Sequence, residues 1–324
     1  MKQRRAFMSK TSTDPAHASG NSFRRHALNG ATMGTRYSSV FFAPADMDVS
    51  RLAGALFEAV DRVDCQMSTW KPGSDLNRLN RAAIGEWIEL PQEAISVLQM
   101  AAKVYRASGG AFDIGVGHHV AAWGFGAFAT DEAPDLRSPN ARLSKFASPI
   151  LEIESNLGRA RKIAPASLDL SGIAKGFGVD ELARMMDEFG ISSWLVGIDG
   201  EMRARGQHPD GTAWSVAQER PKHGSREILG VIELTDLAIA TSGNYRHVRD
   251  INGRTVSHTI DPATGEPLDN GVLSVTVIAE TCMEADAWAT ALMVMGPDAG
   301  MKAAAVHGLD AIFVLQDGSV MSSL

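Results

Sequence analysis

Four short runs of this chain hold residue types that could do chemistry. The first runs from Leu168 to Gly176 and carries Asp169, Gly172 and Lys175. A strand bearing Asp169 that passes through Gly172 into a helix would expose unpaired N–H groups at the positive end of the helix dipole, a setting that suits phosphate. Lys175 falls in the first turn, where a cation opposes the dipole, so a nearby anion would explain it. The plain alternative is a helix start with a solvated lysine. The second run, Glu284 to Ala291, places Asp286 and Thr290 at i and i+4, on one helix face. The helix is otherwise apolar, and a carboxylate and a hydroxyl on a buried helix need a partner. Oxygen ligands of this kind suit Mg²⁺ or Ca²⁺ rather than zinc. Spacing alone serves equally well for an acid favoured by the dipole and a threonine bonded back to its own helix.

The third run is Ser257 to Gly265. Asp261-Pro262 followed by Thr264-Gly265 marks a turn, and His258 stands at the strand end before it. Histidine is the usual general base near neutral pH, although a lone histidine is more often structural. The fourth run is Gly110-Ala111-Phe112-Asp113-Ile114, where glycines would let a ligand ring approach the backbone. The alternative there is a bulged strand. His118 and His119 follow; adjacent residues of a strand face opposite ways, so they are not expected to share a metal.

Those residues need elements to position them. The apolar periods predict helices over Asp48–Asp64, Pro91–Ser108, Lys175–Phe189, Glu284–Met295 and Pro297–His307. They predict strands over Thr32–Phe42, Trp194–Ile198, Leu229–Leu234, Val272–Ala279 and Ala311–Leu315. The order lacks a steady βαβ rhythm, which favours an α+β fold over a doubly wound sheet. Residues 1–30 read as a flexible tail, residues 31–324 as one domain, and Thr130–Ser148 as an exposed insertion.

The chain has 324 residues, ample for a sizeable core. A net charge of −7 argues against a nucleic-acid binder. Two cysteines, Cys65 and Cys282, build neither a disulfide framework nor a zinc site. Both are expected to pack as small hydrophobes. No apolar stretch is long enough for a membrane helix. The basic, polar N-terminus lacks the apolar core of a secretory signal and any lipid-anchor cysteine. As written, a cytoplasmic protein is expected, or a periplasmic one if the N-terminus was trimmed. The standard dinucleotide, triphosphate-loop, zinc-protease and serine-hydrolase motifs are absent.

Taken together, the runs resemble the ApbE family of FAD:protein FMN transferases. The resemblance covers nearly all of residues 32–324 in order. It rests on Thr32-Met33-Gly34-Thr35, Met67-Ser68-Thr69-Trp70 with Asn77 and Asn80, Gly110–Asp113, Trp123–Gly126, Asp169–Gly176, Ala240–Tyr245, Ser257–Gly265 and Ala285–Gly296. It implies an α+β tunnelling-type fold of mixed and antiparallel sheets with packed helices. It implies Mg²⁺-dependent transfer of FMN from FAD to a Thr or Ser hydroxyl of a partner flavoprotein, releasing AMP. Carried over by position, Met33, Trp70, Ala111, Phe112, Asp113, Asp169, Lys175 and Ile260 would line the FAD site. Asp286, Thr290 and the backbone carbonyl of Gly172 would hold Mg²⁺, and His258 would be the base. The chain departs from the pattern at His118-His119, where Pro and an aliphatic residue are expected, and at Asp199, where a second glycine is usual. A Mg²⁺-dependent FAD pyrophosphatase and a non-catalytic flavin-binding protein are the competing readings.

Overall fold

In the computed structural model the described residues are 23–127, 150–222, 224, 227–251 and 253–324. The described residues begin with a hairpin of β1 (Phe23–Thr32) and β2 (Thr35–Pro44). Its turn is Met33-Gly34, and both residues have positive φ, 46° and 72°. That pair matches the right-handed twist of the flanking strands. The expected tail therefore needs correction: residues 23–30 are an edge strand. β1 carries a largely exposed face and is held by its backbone ladder to β2, so no apolar period betrays it. Residues 1–22 and the expected 130–148 insertion lie outside the described residues.

The remaining elements follow in chain order. They are α1 (Val49–Met67), α2 (Asp75–Arg81), β3 (Ile88–Glu89), α3 (Gln92–Ala107), α4 (Gly117–Ala122), β4 (Leu151–Glu154), β5 (Arg159–Lys162), α5 (Ala174–Glu188), β6 (Trp194–Ile198) and β7 (Glu201–Arg205). Then come β8 (Trp214–Glu219), β9 (Ile228–Leu234), β10 (Ala238–Gly243), β11 (Val248–Ile251), β12 (Arg254–Ser257), β13 (Ile260–Asp261) and β14 (Glu266–Pro267). The chain closes with β15 (Val272–Ala279), α6 (Cys282–Met295), α7 (Pro297–His307), β16 (Asp310–Leu315) and β17 (Val320–Ser322).

An eight-stranded antiparallel sheet, in the order β1-β2-β6-β7-β10-β15-β16-β17, organises the molecule. Helices and antiparallel sheet are thus mixed, as an α+β reading requires. Alternation along β10 and β15 divides the sheet's two faces. Ala240, Val275 and Val277 join the core formed with α6. Ile239 and Ile278 face the other way and pack with Trp214, Val216, Ile232 and Leu234 of the β8–β9 hairpin. α6 is buried almost all round, through Ala285, Ala287, Trp288, Ala289, Ala291, Leu292 and Met293.

One irregularity matters for the site. β7 pairs with β10 only at Ala238–Arg203 and Ile239–Met202. The β6–β7 hairpin ends there, and β10 runs on past its tip to Gly243. The sheet is therefore open on that side, and a passage from the helix face to the β8–β9 face can form.

Two local expectations change. His118 and His119 lie in the short helix α4, not on a strand. Gly117 comes so close to Ser167 that an added Cβ would stand 2.6 Å from its carbonyl oxygen, and the segment has no β-branched run to hold a strand. Asp169 likewise lies outside any strand; its N–H donates to the Ile114 carbonyl at 2.8 Å. Cys282 is buried as expected, whereas Cys65 is exposed, within 3.4 Å of Lys71 Nζ.

Candidate active site

The start of α5 presses against α6, and two glycines make that approach possible. A Cβ on Gly176 would meet the Cys282 carbonyl oxygen at 2.4 Å and Asp286 Cβ at 2.7 Å. One on Gly172 would stand 3.1 Å from Thr290 Oγ1. The first clash is with backbone that cannot swing away. Gly176→Ala is expected to cost roughly 1–3 kcal/mol through overpacking, read as a lowered urea midpoint. An unchanged midpoint would show that the two helices have slack.

The two helices cap one another. The Gly176 N–H, free at the first turn of α5, donates to Asp286 Oδ2 of α6 at 2.9 Å. The N–H groups of Cys282 and Met283, at the first turn of α6, donate to the Asp180 carboxylate of α5 at 3.0 and 2.9 Å. Arg203 completes Asp180's shell at 2.7 Å. Asp286 is only 4 % exposed. Burial, and next the charge of Glu201, push its carboxyl up to about 7, against the pull of Lys175 and the Gly176 N–H. One helix turn on, Thr290 Oγ1 lies 2.9 Å from Ser242 Oγ of β10.

Lys175 has the anionic neighbour its position demands. Its Nζ is 2.8 Å from Glu201 Oε1 and 3.9 Å from Asp199 Oδ2. Burial works against its charge, but the carboxylates of Glu201, Asp286 and Asp199 outweigh that and hold it above the ordinary lysine value. Glu201 is itself buried, which raises its carboxyl, and its Oε2 has no partner. Asp199 has φ +54°, a left-handed turn conformation that glycine adopts without cost and aspartate tolerates better than most.

His258 follows β12, and its N–H donates to the His247 carbonyl at 3.1 Å. The two imidazoles stand 5.2 Å apart at 82°. His258 Nδ1 is buried without a partner. Burial first, then the neighbouring His247, lowers its pKa to about 4, so the ring is neutral and proton-accepting at pH 7. The unfolded chain, with the ordinary histidine value of about 6.5, binds more protons between those pH values, so this contribution to stability is present above about pH 6.5 and lost as pH falls towards 4. A parent–His258→Gln stability difference that changes by up to roughly 3 kcal/mol between pH 7 and pH 4 is the expected result. A pH-independent difference would mean that the ring is solvated.

These groups share one cavity of about 640 Å³, within the range of roughly 300–1,000 Å³ usual for small-molecule sites. Of the residues singled out in the sequence, its wall includes Trp70, Ala111, Phe112, Asp113, Asp169, Gly172, Lys175, His258, Ile260, Asp286 and Thr290. Met33 is not in that wall. Its turn conformation lays the side chain over Gly178 of α5, where an added Cβ would sit 3.1 Å from Met33 Cε. Trp70 stands at the rim, 71 % exposed. Its loop is tied down by Asn77 Nδ2, which donates to the Thr69 and Lys71 carbonyls at 2.9 Å. Asn80 grips Leu168 through both N–H and C=O, at 2.7 and 3.0 Å, and so fixes the Asp169 stretch. Burial raises the Asp113 carboxyl, which accepts from the Gly115 N–H at 2.7 Å.

Sequence reasoning missed Glu201, Ser242, Gln218, Thr241 and Thr276, all in the wall. Ser242 and Thr241 lay within the Ala240–Tyr245 run, but only the open edge of β10 gives them a cavity to face.

Among the described residues no three His, Cys, Asp or Glu side chains come together as a metal cluster. At the α5–α6 junction a cation would meet the Asp286 carboxylate and the neutral oxygens of Thr290 and Gly172. The buried, proton-hungry Asp286 beside Thr290 and Gly172 fits a hard divalent ion of that kind.

The sequence model of the ApbE family matches residues 33–313. The chain belongs to the ApbE family. Among relatives, the FAD:protein FMN transferase of Vibrio cholerae serotype O1 is 38 % identical over 291 residues, covering 89 % of this chain and 87 % of that protein. That of Klebsiella pneumoniae is 32 % identical over 295 residues, covering 90 % and 84 %. Among solved structures, the flavin transferase ApbE from Vibrio cholerae superposes with TM-score 0.83 at 35 % identity over 93 % of this ApbE chain and 97 % of that one. The apo flavinyl transferase ApbE of Pseudomonas stutzeri does so with TM-score 0.82 at 30 % identity, over 93 % and 95 %.

Proposed function

We propose that this chain is an FAD:protein FMN transferase, which moves FMN from FAD to a Thr or Ser hydroxyl of an acceptor flavoprotein and releases AMP. The observation that carries the reading is the α5–α6 junction: Asp286, Thr290 and Lys175 line the same cavity as a neutral His258. In the reaction the acceptor oxygen forms a bond to the FMN phosphorus, and the bond from that phosphorus to the bridging pyrophosphate oxygen breaks. The leaving electron pair goes out with AMP. His258 takes the hydroxyl proton on a ring nitrogen, which its low pKa keeps unprotonated at neutral pH. Lys175, in the cavity wall at the start of α5, would offer the phosphates positive charge. Asp286, Thr290 and the Gly172 carbonyl would hold Mg²⁺, which when bound neutralises phosphate charge and polarises the phosphoryl oxygens. The cavity walls orient the two substrates for in-line attack.

The comparisons support this reading through relatives that carry the same activity in their names. No helix among the described residues is long and apolar enough to cross a membrane. The test is AMP release from FAD with an acceptor domain present, with and without EDTA. AMP matched by acceptor-bound flavin, both lost on chelation, is expected. AMP with only free FMN would make the chain a pyrophosphatase. No turnover would leave a flavin binder.

A further inference from the structure

His258 stands on a part of the chain that the eight-stranded sheet does not hold. Among the described residues β11 and β12 pair only with each other. They pack around a small apolar cluster of their own, Trp123, Val256 and Ile260, with Val120 of α4 against it. Lys175, Asp286 and Thr290 belong instead to α5 and α6. A base must stay within hydrogen-bond reach of the proton it takes, so something has to fix the one part on the other. No partner orients the His258 ring through Nδ1. Its placement is set by its backbone, whose N–H is held by the His247 carbonyl at 3.1 Å.

Arg246, the residue before His247, ties that segment down at three points. Its Nη2 meets the Glu219 carboxylate at the end of β8. Its Nη1 stands 3.8 Å from Asp199 Oδ1 at the tip of the β6–β7 hairpin. Its Nε donates to Tyr245 Oη at 3.0 Å. The Tyr245 ring lies over Gly243 of β10, where an added Cβ would stand 2.8 Å from Cε1. One exposed ion pair holds little. A guanidinium, however, is a rigid fork, and with all three nitrogens engaged its direction is fixed. Arg246 thus bridges the gap left where β7 stops pairing with β10. The second Asp199 oxygen is 3.9 Å from Lys175 Nζ, so one carboxylate sits between Lys175 and the segment that carries the base.

We propose that Arg246 is a positioning residue for the transfer reaction. Held by Glu219 and Asp199, it fixes residues 245–247 and, through the His247 carbonyl, the place of His258 relative to the α5–α6 junction. The inference rests on His258 being the base, as argued above. Arg246 also lines the cavity, so the rival role is direct contact with FAD. Glu219 separates the two. An arginine released from Glu219 would bind phosphate at least as well, whereas a brace released from Glu219 would fail.

The test is kcat for FMN transfer and Kd for FAD in Glu219→Gln, Arg246→Lys and Arg246→Met, each made in the parent and in His258→Ala. With His258 present, Arg246→Met is expected to lower kcat about a hundredfold, the scale of a displacement of roughly 1 Å, and Glu219→Gln about tenfold. Arg246→Lys, which keeps the charge but not the fork, should fall between Arg246→Met and the parent. FAD Kd should stay within about threefold throughout. In His258→Ala none of the three should lower the residual rate more than about twofold, because the group they position is gone. Losses that multiply with that of His258→Ala would overturn the assignment while leaving the base reading intact. So would an altered FAD Kd at unchanged kcat, which would make Arg246 a substrate contact. A parental kcat in His258→Ala would defeat the base reading and the brace with it. Glu219→Gln is a near-isosteric change at a half-buried residue, so the test holds even if Arg246→Met does not fold.

Discussion

Asp286→Asn is expected to lower FMN transfer about a thousandfold or more. The cation site proposed at the α5–α6 junction has a single carboxylate, and a metal's stabilisation of phosphoryl charge is worth several kcal/mol, with each tenfold in rate near 1.4 kcal/mol. Asparagine retains an oxygen for the Gly176 N–H that Asp286 Oδ2 now accepts, so the α5–α6 junction should survive. Removal of a buried charge separates function from folding. In EDTA the parent carries an Asp286 whose carboxyl is pushed up to about 7, so above that pH a buried anion opposes folding. The variant should then melt no lower than the parent at pH 8 while losing activity. Thr290→Val should weaken activity less, since it removes a neutral oxygen and leaves Ser242 without its partner. Near-normal turnover in Asp286→Asn at saturating Mg²⁺ would remove this carboxylate from the machinery.

The second large effect belongs to His258. His258→Ala should leave FAD affinity within a few-fold of the parent and cut transfer by roughly 10²–10⁴, the usual worth of a positioned general base. Because the ring stays neutral down to about pH 4, the parent's activity should show no histidine-type decline between pH 8 and 5 from this group. A loss of FAD binding equal to the loss of transfer would make His258 a binding residue. A retained rate would leave the base to another group.

Much of this architecture is legible in the sequence, and the exceptions have physical causes. The helices with an apolar stripe or an apolar run are evident because burial imposes their period: α1, α3, α5 and α6 fall close to where the pattern puts them. The buried strands β6 and β15 are plain for the same reason, β6 being an apolar run and β15 a largely apolar, β-branched one. β1 is not, because an exposed edge strand held by backbone bonds needs no apolar alternation. α4 is too short to show a helical period at all. The i, i+4 pair of Asp286 and Thr290 could be seen on one face, but not the partner that Asp286 meets, since the Gly176 N–H belongs to a helix 110 residues away in sequence. Lys175's oddity at a helix start pointed to an anion, and the fold supplies Glu201 from the tip of a hairpin. The hydrogen-bonded row of Gln218, Thr276 and Thr241 in the cavity wall was invisible because it joins three strands that only the fold brings together.

The most direct test of the central claim is an intact mass spectrum of an acceptor domain after incubation with the enzyme, FAD and Mg²⁺. The account predicts a gain of one FMN on the acceptor, placed on a Thr or Ser by fragmentation, with AMP released in equal amount. The gain should disappear with EDTA, in Asp286→Asn and in His258→Ala. An acceptor of unchanged mass while FAD is consumed to FMN and AMP would contradict the claim that a protein hydroxyl, rather than water, is the nucleophile.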